Sequence, residues 1–275
     1  MLLIVNDYIA LTIIQQPIMK IRCAQYIKVT LLLSIILFSA FQLNKSKKVN
    51  IVFIGDSITA GSDNKTEMQP SVYAIAYLKD QMKIDATQSN QGVSGHTTLD
   101  FLPGDNDFKN TIQAADAFYT DKDAQLMFSI MLGTNDSAVK GTHGAPVSPD
   151  QYRTNLNTII TELLKRYPNC KVIINRPLWY SPNTQNNSIY LAEGLERLQT
   201  YFPQIELLVK NYSTINPGHV FVGDTQGFDY FKKNYKDAAL HEQGRQGIFY
   251  LHPNQKGAAR LGELWGKAIY KVLYK

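Results

Sequence analysis

The chain has 275 residues, 44% hydrophobic and 19% charged, enough apolar material for a packed core, which excludes disordered, collagen-like and disulfide-stapled miniprotein classes. Its formal charge of +5 invites a nucleic-acid reading, but residues 1–48 hold Lys20, Arg22, Lys28, Lys45, Lys47 and Lys48 against Asp7 alone and so carry all of it. The remainder is neutral and lacks the cationic excess that a phosphate-tracking surface needs, so no nucleic-acid partner is expected.

Residues 1–43 read as a leader. Val29–Phe41 (VTLLLSIILFSAF) is an apolar run preceded by Lys20, Arg22 and Lys28, the n-region and h-region of an export signal. The run is shorter than the roughly 20 apolar residues of a bilayer span, which favours a cleaved signal over an uncleaved anchor. Met19 is the expected true start, with residues 1–18 an upstream extension. The expectation is an extracytoplasmic protein, periplasmic or secreted, that meets a membrane only through this segment. Cys23 falls in the leader and Cys170 is then alone, so no internal disulfide holds the fold.

Residues 44–275 read as one domain without repeats or a long linker. Short apolar runs at Val49–Ile54, Gln125–Leu132, Lys171–Ile174 and His219–Val222 suit parallel strands buried on both faces, and a shorter segment, Thr87–Asn90, lies between the first two. Helices are predicted near Val72–Met82, Pro149–Arg166, Ile189–Tyr212 and Asn254–Tyr274. In the last, Ala258, Leu261, Leu264, Trp265, Ala268, Ile269, Val272 and Leu273 recur at threes and fours, so one face packs on the sheet. Alternating strands and helices give an α/β fold with a parallel sheet, in which ligands sit beyond the carboxyl ends of the strands.

Four motifs fall at or near such ends. The first strand runs into Gly55-Asp56-Ser57-Ile58-Thr59, where Gly55 removes the side chain that would crowd a sharp turn and Asp56 is expected to fix it. Gly92-Val93-Ser94-Gly95-His96-Thr97 follows, then Gly133-Thr134-Asn135-Asp136 directly after a buried strand, and Leu251-His252-Pro253-Asn254 just before the last helix. Taken singly each is an ordinary turn or helix entry. The four in this order are not. His96, His143 and His219 read as loop histidines, and His241-Glu242 lacks the second histidine of a zinc helix, so neither metal nor cofactor is expected.

The order and wording of the motifs resemble the SGNH hydrolases, the GDSL-like lipases and acylhydrolases, over about residues 49–274. The continuation from His252 to Gly257 (HPNQKG) strengthens the match. The resemblance implies a three-layer α/β/α sandwich with a central parallel sheet, the flavodoxin-like fold of that family. It also implies Ser57 as nucleophile, Gly95 and Asn135 as oxyanion-hole donors and His252 as base. The residue chemistry agrees: a serine hydroxyl needs a base within hydrogen-bond reach, and a tetrahedral oxyanion needs fixed donors.

One position departs from the pattern. The acidic member of that family's triad usually stands three residues before the histidine, and here that residue is Phe249. Three readings stay open: a carboxylate from elsewhere, with Asp224, Glu242 and Asp237 as candidates; a backbone carbonyl orienting the ring of a Ser-His dyad; or a non-catalytic carbohydrate-binding relative. The resemblance implies hydrolysis of carboxylic esters. An exported neutral domain looks most like the acetylesterases of O-acetylated carbohydrate, with the polar stretches Gly61–Gln69 and Tyr180–Ser188 as a sugar-compatible rim; the alternative is a lysophospholipase- or arylesterase-type acylhydrolase.

Overall fold

The computed structural model describes residues 47–62 and 65–275. The expected leader and the domain boundary at residue 44 lie outside the described residues. Lys47–Lys275 form one compact unit.

Five parallel strands build the central sheet: β1 (Lys48–Gly55), β2 (Asp85–Gly92), β3 (Ala124–Met131), β4 (Lys171–Ile174) and β5 (Val220–Val222), in the order β2-β1-β3-β4-β5. The side-chain period of two assigns alternate residues of β1 to opposite faces. Ile51 and Phe53 join a core cluster with Trp265 of the last helix, whereas Val52 and Ile54 join a second with Phe128 and Leu156. The two clusters are the two halves of an α/β/α sandwich. Phe53 and Trp265 stack with ring centroids 5.6 Å apart.

The helices are α1 (Ser57–Ala60), α2 (Pro70–Ala76, continued by a wider turn over Tyr77–Gln81), α3 (Asn106–Tyr119), α4 (Pro149–Arg166), α5 (Leu191–Ile215), α6 (Gly227–Ala238) and α7 (Gln255–Leu273). The four predicted helices are present with shifted ends: the first starts at Pro70, the third at Leu191 and the fourth at Gln255. Helix α4 starts where the sequence sets its signals, with Pro149 in its first turn and the Ser148 hydroxyl accepting Gln151 N–H at 3.2 Å. Helices α3 and α6 were not predicted: α3 buries few apolar residues, Phe108 and Ala115, and the apolar stripe of α6, Phe228, Phe231, Tyr235 and Ala238, is short. Strand β2 extends well beyond Thr87–Asn90 in a polar sequence, as an edge strand can.

A two-stranded antiparallel hairpin, β6 (Glu242–Gly244) and β7 (Gly247–Phe249), lies outside the main sheet. It was also not predicted: its strands are three residues long and without alternation.

Candidate active site

Strand order reverses at β1, so the loops after β1 and β3 leave the carboxyl edge of the sheet at the switch point where α/β folds bind ligands. Ser57 opens α1 directly beyond β1. The Asp56 carboxylate caps this short helix by accepting Ile58 N–H at 2.9 Å, which fixes the turn. Gly55 is required by close approach, since a Cβ there would stand 2.0 Å from Thr59 Oγ1 and 2.7 Å from Met131 O. Burial pushes the Asp56 carboxyl up to about 6, with the Ile58 amide and the charge of His252 opposing the rise.

His252 reaches the same point from the other end of the chain. The Asn254 side chain caps α7 by accepting Gly257 N–H at 3.0 Å and donates to Asp237 O at 2.8 Å, which anchors the helix entry. Antiparallel to it runs the segment after α6, with Asn254 N–H donating to Ala238 O at 3.0 Å and Leu240 N–H to His252 O at 2.8 Å. This frame sets His252 Nε2 2.8 Å from Ser57 Oγ.

The same frame delivers the carboxylate. Glu242, two residues beyond Leu240, accepts His252 Nδ1–H on Oε1 at 2.8 Å and His252 N–H on Oε2 at 3.0 Å. An ionised carboxylate only accepts, so Nδ1 carries the ring proton and Nε2 turns its lone pair to the serine. Glu242 is the direct cross-strand partner of Phe249 in the hairpin. Opposed residues of an antiparallel pair project from one face, so a carboxylate at 242 occupies the side that a residue at 249 would. Phe249 itself is buried in the core.

The other two carboxylate candidates are engaged elsewhere. Asp224 starts α6, accepting Gln226 N–H at 2.8 Å and Gly227 N–H at 3.0 Å. Asp237 is exposed and pairs with Lys256 at 3.4 Å.

Two loops bring in the remaining motif residues. Gly95 has φ +83°, a conformation that L side chains rarely adopt, and lines the cleft above Ser57 together with Asn135. Asn135 Nδ2 donates to His96 O at 2.9 Å, leaving its second proton, and Tyr190 donates its hydroxyl proton to Asn135 Oδ1 at 2.6 Å. Tyr190 thereby fixes which end of the amide is the donor. Burial raises its phenol well above the ordinary range, so it remains a donor. Among the described residues no acceptor is hydrogen-bonded to Ser57 N–H or Gly95 N–H. No motif marks Tyr190; it falls one residue before α5, far along the chain from Asn135.

Asp136, the last residue of the third motif, ties the two loops together. Its buried carboxylate accepts Thr98 N–H at 3.1 Å and the Thr98 hydroxyl, and Asn155 Nδ2 donates to that hydroxyl oxygen at 2.8 Å. Burial pushes Asp136 up to about 7, and the nearby Asp56 charge adds to the rise. His96 and His143, read from the sequence as loop histidines, pair with Asp107 and, at 2.7 Å, with Asp100. Cys170 is buried and its thiol pushed up to about 12, which leaves it inert.

These residues line a cleft of about 740 Å³, most of whose lining residues are polar although its exposed surface is nearly half apolar. One wall is Gln185, Asn186, Asn187 and Ser188; the facing one is Gln243, Gly244 and Arg245 of the hairpin. Arg245 N–H donates to Gln185 O at 3.0 Å and Asn183 Nδ2 to Ile248 O at 2.9 Å, so the walls brace one another. Of the two stretches expected as a rim, Tyr180–Ser188 contributes its last four residues, and of Gly61–Gln69 only Ser62 is among the lining residues described. Tyr152 and Tyr201 are buried and stack at 4.1 Å in the core.

The sequence profile of the GDSL-like lipase/acylhydrolase family matches residues 53–260. No curated protein sequence matches the chain. Among solved structures, a carbohydrate acetylesterase from Sinorhizobium meliloti aligns with TM-score 0.53 and 17% identity over 82% of this chain and 100% of that one. An aryl esterase from M. smegmatis gives TM-score 0.52 and 17% identity over 82% and 99% of the two chains. A variant of an acetyl xylan esterase from Geobacillus stearothermophilus gives 0.53 and 18% over 83% and 95%. At these identities the likeness is one of fold.

Proposed function

Because the chain belongs to the GDSL-like lipase/acylhydrolase family, whose chemistry is carboxylic ester hydrolysis, we propose that it removes small acyl groups, acetyl foremost, from O-acylated carbohydrate. The reading rests above all on the hydrogen-bonded series Ser57 Oγ, His252, Glu242 at the floor of a polar cleft.

In this mechanism His252 Nε2 takes the Ser57 proton as Oγ attacks the ester carbonyl. Glu242 holds the ring in the required tautomer and stabilises the imidazolium that forms. The negative charge on the former carbonyl oxygen is met by Ser57 N–H, Gly95 N–H and the second Asn135 Nδ2 proton, donors fixed before the reaction starts. His252 then protonates the departing sugar oxygen, leaving an acyl group on Ser57. Water attacks the acyl carbon as His252 takes its proton, and the tetrahedral intermediate collapses as His252 returns that proton to Ser57 Oγ, releasing the carboxylic acid, which ionises to carboxylate.

The lining favours a hydroxyl-rich substrate over a long acyl chain. Amide and hydroxyl side chains on both walls match sugar hydroxyls, whereas Leu240, Leu251 and Tyr190 are the main apolar surfaces at hand, too few for an extended alkyl groove. The test is hydrolysis of 4-nitrophenyl esters from acetyl to dodecanoyl by the full-length chain beside Ser57→Ala, followed by acetylated xylo-oligosaccharides. Serine-dependent turnover that is highest for acetyl, and release of acetate from the sugars, is the expected result. Turnover that climbs beyond eight carbons would replace this reading with a lipid acylhydrolase, and absence of serine-dependent turnover in folded protein would make the chain a binding-only relative.

A further inference from the structure

Among the described residues, Arg153, Arg166, Arg176, Arg197 and Arg260 each form an ion pair with a carboxylate. Arg245 does not: its backbone N–H is held by Gln185 O, while its guanidinium has no ion-pair or hydrogen-bond partner among the described residues. It is also the arginine that lines the cleft holding Ser57 and His252.

The charge balance of that cleft is therefore lopsided. Among the described lining residues the one carboxylate, Glu242, is committed through both oxygens to His252. Apart from Arg245, the rest of the described lining is mostly amides and hydroxyls. A guanidinium is always ionised and presents a planar fork that matches carboxylate and sulfate oxygens in pairs. Its backbone is not adrift, because the hairpin turn is braced on the opposite wall through Gln185, with Gln246 Nε2 donating to Gln185 Oε1 at 3.2 Å.

We infer that the cleft recognises saccharides carrying an anionic group, a uronate carboxylate or a sulfate ester, which seats on Arg245 while the acyl ester lies at Ser57. This deepens the carbohydrate-ester reading and rests on it. It names a charge that the substrate carries, beyond the bond that is cut.

The test is separated from catalysis. Full-length Ser57→Ala protein is titrated calorimetrically with galacturonate trisaccharide, with the neutral galactose trisaccharide and with a sulfated galactose trisaccharide, at low and at physiological salt. At least one anionic sugar is expected to bind about five- to tenfold more tightly than the neutral one, with the preference weakening in salt. The same preference is expected to vanish when Arg245→Gln is added. The anionic sugar that carries the preference identifies the group. Equal affinity for all three, a preference that survives Arg245→Gln, or no binding of any would overturn the inference. Failure of the broader reading shows up separately, as loss of serine-dependent 4-nitrophenyl acetate hydrolysis in the unmodified chain.

Discussion

Replacing Glu242 by glutamine asks whether a carboxylate that does not stand at the usual place in the chain does the usual work. Oε1 receives the ring Nδ1–H and Oε2 the backbone N–H of the same histidine. Glutamine offers one oxygen and one NH2 group, so one of the two donors must face another donor. The backbone proton cannot move, whereas the ring proton can. The low-energy arrangement gives the amide oxygen to the backbone and its NH2 to an unprotonated Nδ1, which sends the ring proton to Nε2, opposite Ser57. The base then has no lone pair to offer. The comparable change in serine proteases costs about ten-thousand-fold in kcat. Here the Glu242 side chain is 22% exposed and the His252 side chain 17%, so water can take part in the rearrangement. The expected loss in kcat for 4-nitrophenyl acetate is therefore about 100- to 10,000-fold, or roughly 3–5 kcal/mol of barrier. The assay is kcat and KM from pH 5 to 9 with thermal melts recorded in parallel. Asp224→Asn serves as the contrast, since that carboxylate holds the turn leading into α6 and its loss should lower the melting temperature and leave kcat nearly intact. Glu242→Gln within about threefold of the unmodified rate would refute the tautomer argument and return the ring to a backbone carbonyl.

Three further outcomes are expected. Tyr190→Phe removes the donor to Asn135 Oδ1, frees the amide to rotate, and should lower kcat about 10- to 100-fold with KM little changed, less than the loss of a whole oxyanion donor; an unaltered kcat would assign Tyr190 to packing alone. Asp136, pushed up to about 7 by burial, binds its proton more readily folded than unfolded, so its stabilising share is full below about pH 4 and is lost as pH rises through about 7, with a ceiling near 4 kcal/mol. Urea unfolding at pH 5 and pH 8 should therefore show a larger drop for the native chain than for Asp136→Asn, and parallel drops would count against the shift. Gly55→Ala drives a methyl into Thr59 and the Met131 carbonyl and should cost about 1–3 kcal/mol, read by calorimetry as a lowered melting temperature; a melt within about a degree of the native one would mean that the turn relaxes freely.

The sequence by itself determined the sheet and the order of the motifs. Strands β1, β3, β4 and β5 are legible because burial on both faces forces continuous apolar runs, and α7 because its buried face repeats at the helical period. Ser57, Gly95, Asn135 and His252 were legible because four short motifs in that order resemble those of the SGNH hydrolases; taken singly, each is an ordinary turn or helix entry. Helix α3 and the β6–β7 hairpin were not, since their apolar residues are too few to impose a period, and the stripe of α6 is short. Only the tertiary structure decided between Asp224, Glu242 and Asp237. It did so through antiparallel backbone pairing between 238–240 and 252–254, which brings the Glu242 side chain within reach of His252, and through the hairpin register that sets Glu242 across from Phe249. The same holds for Tyr190 on Asn135 and for Arg245 in the cleft wall. Distance along the chain says nothing about contacts made between elements, and hydrogen-bond partners contributed by another element leave no spacing in the sequence to read.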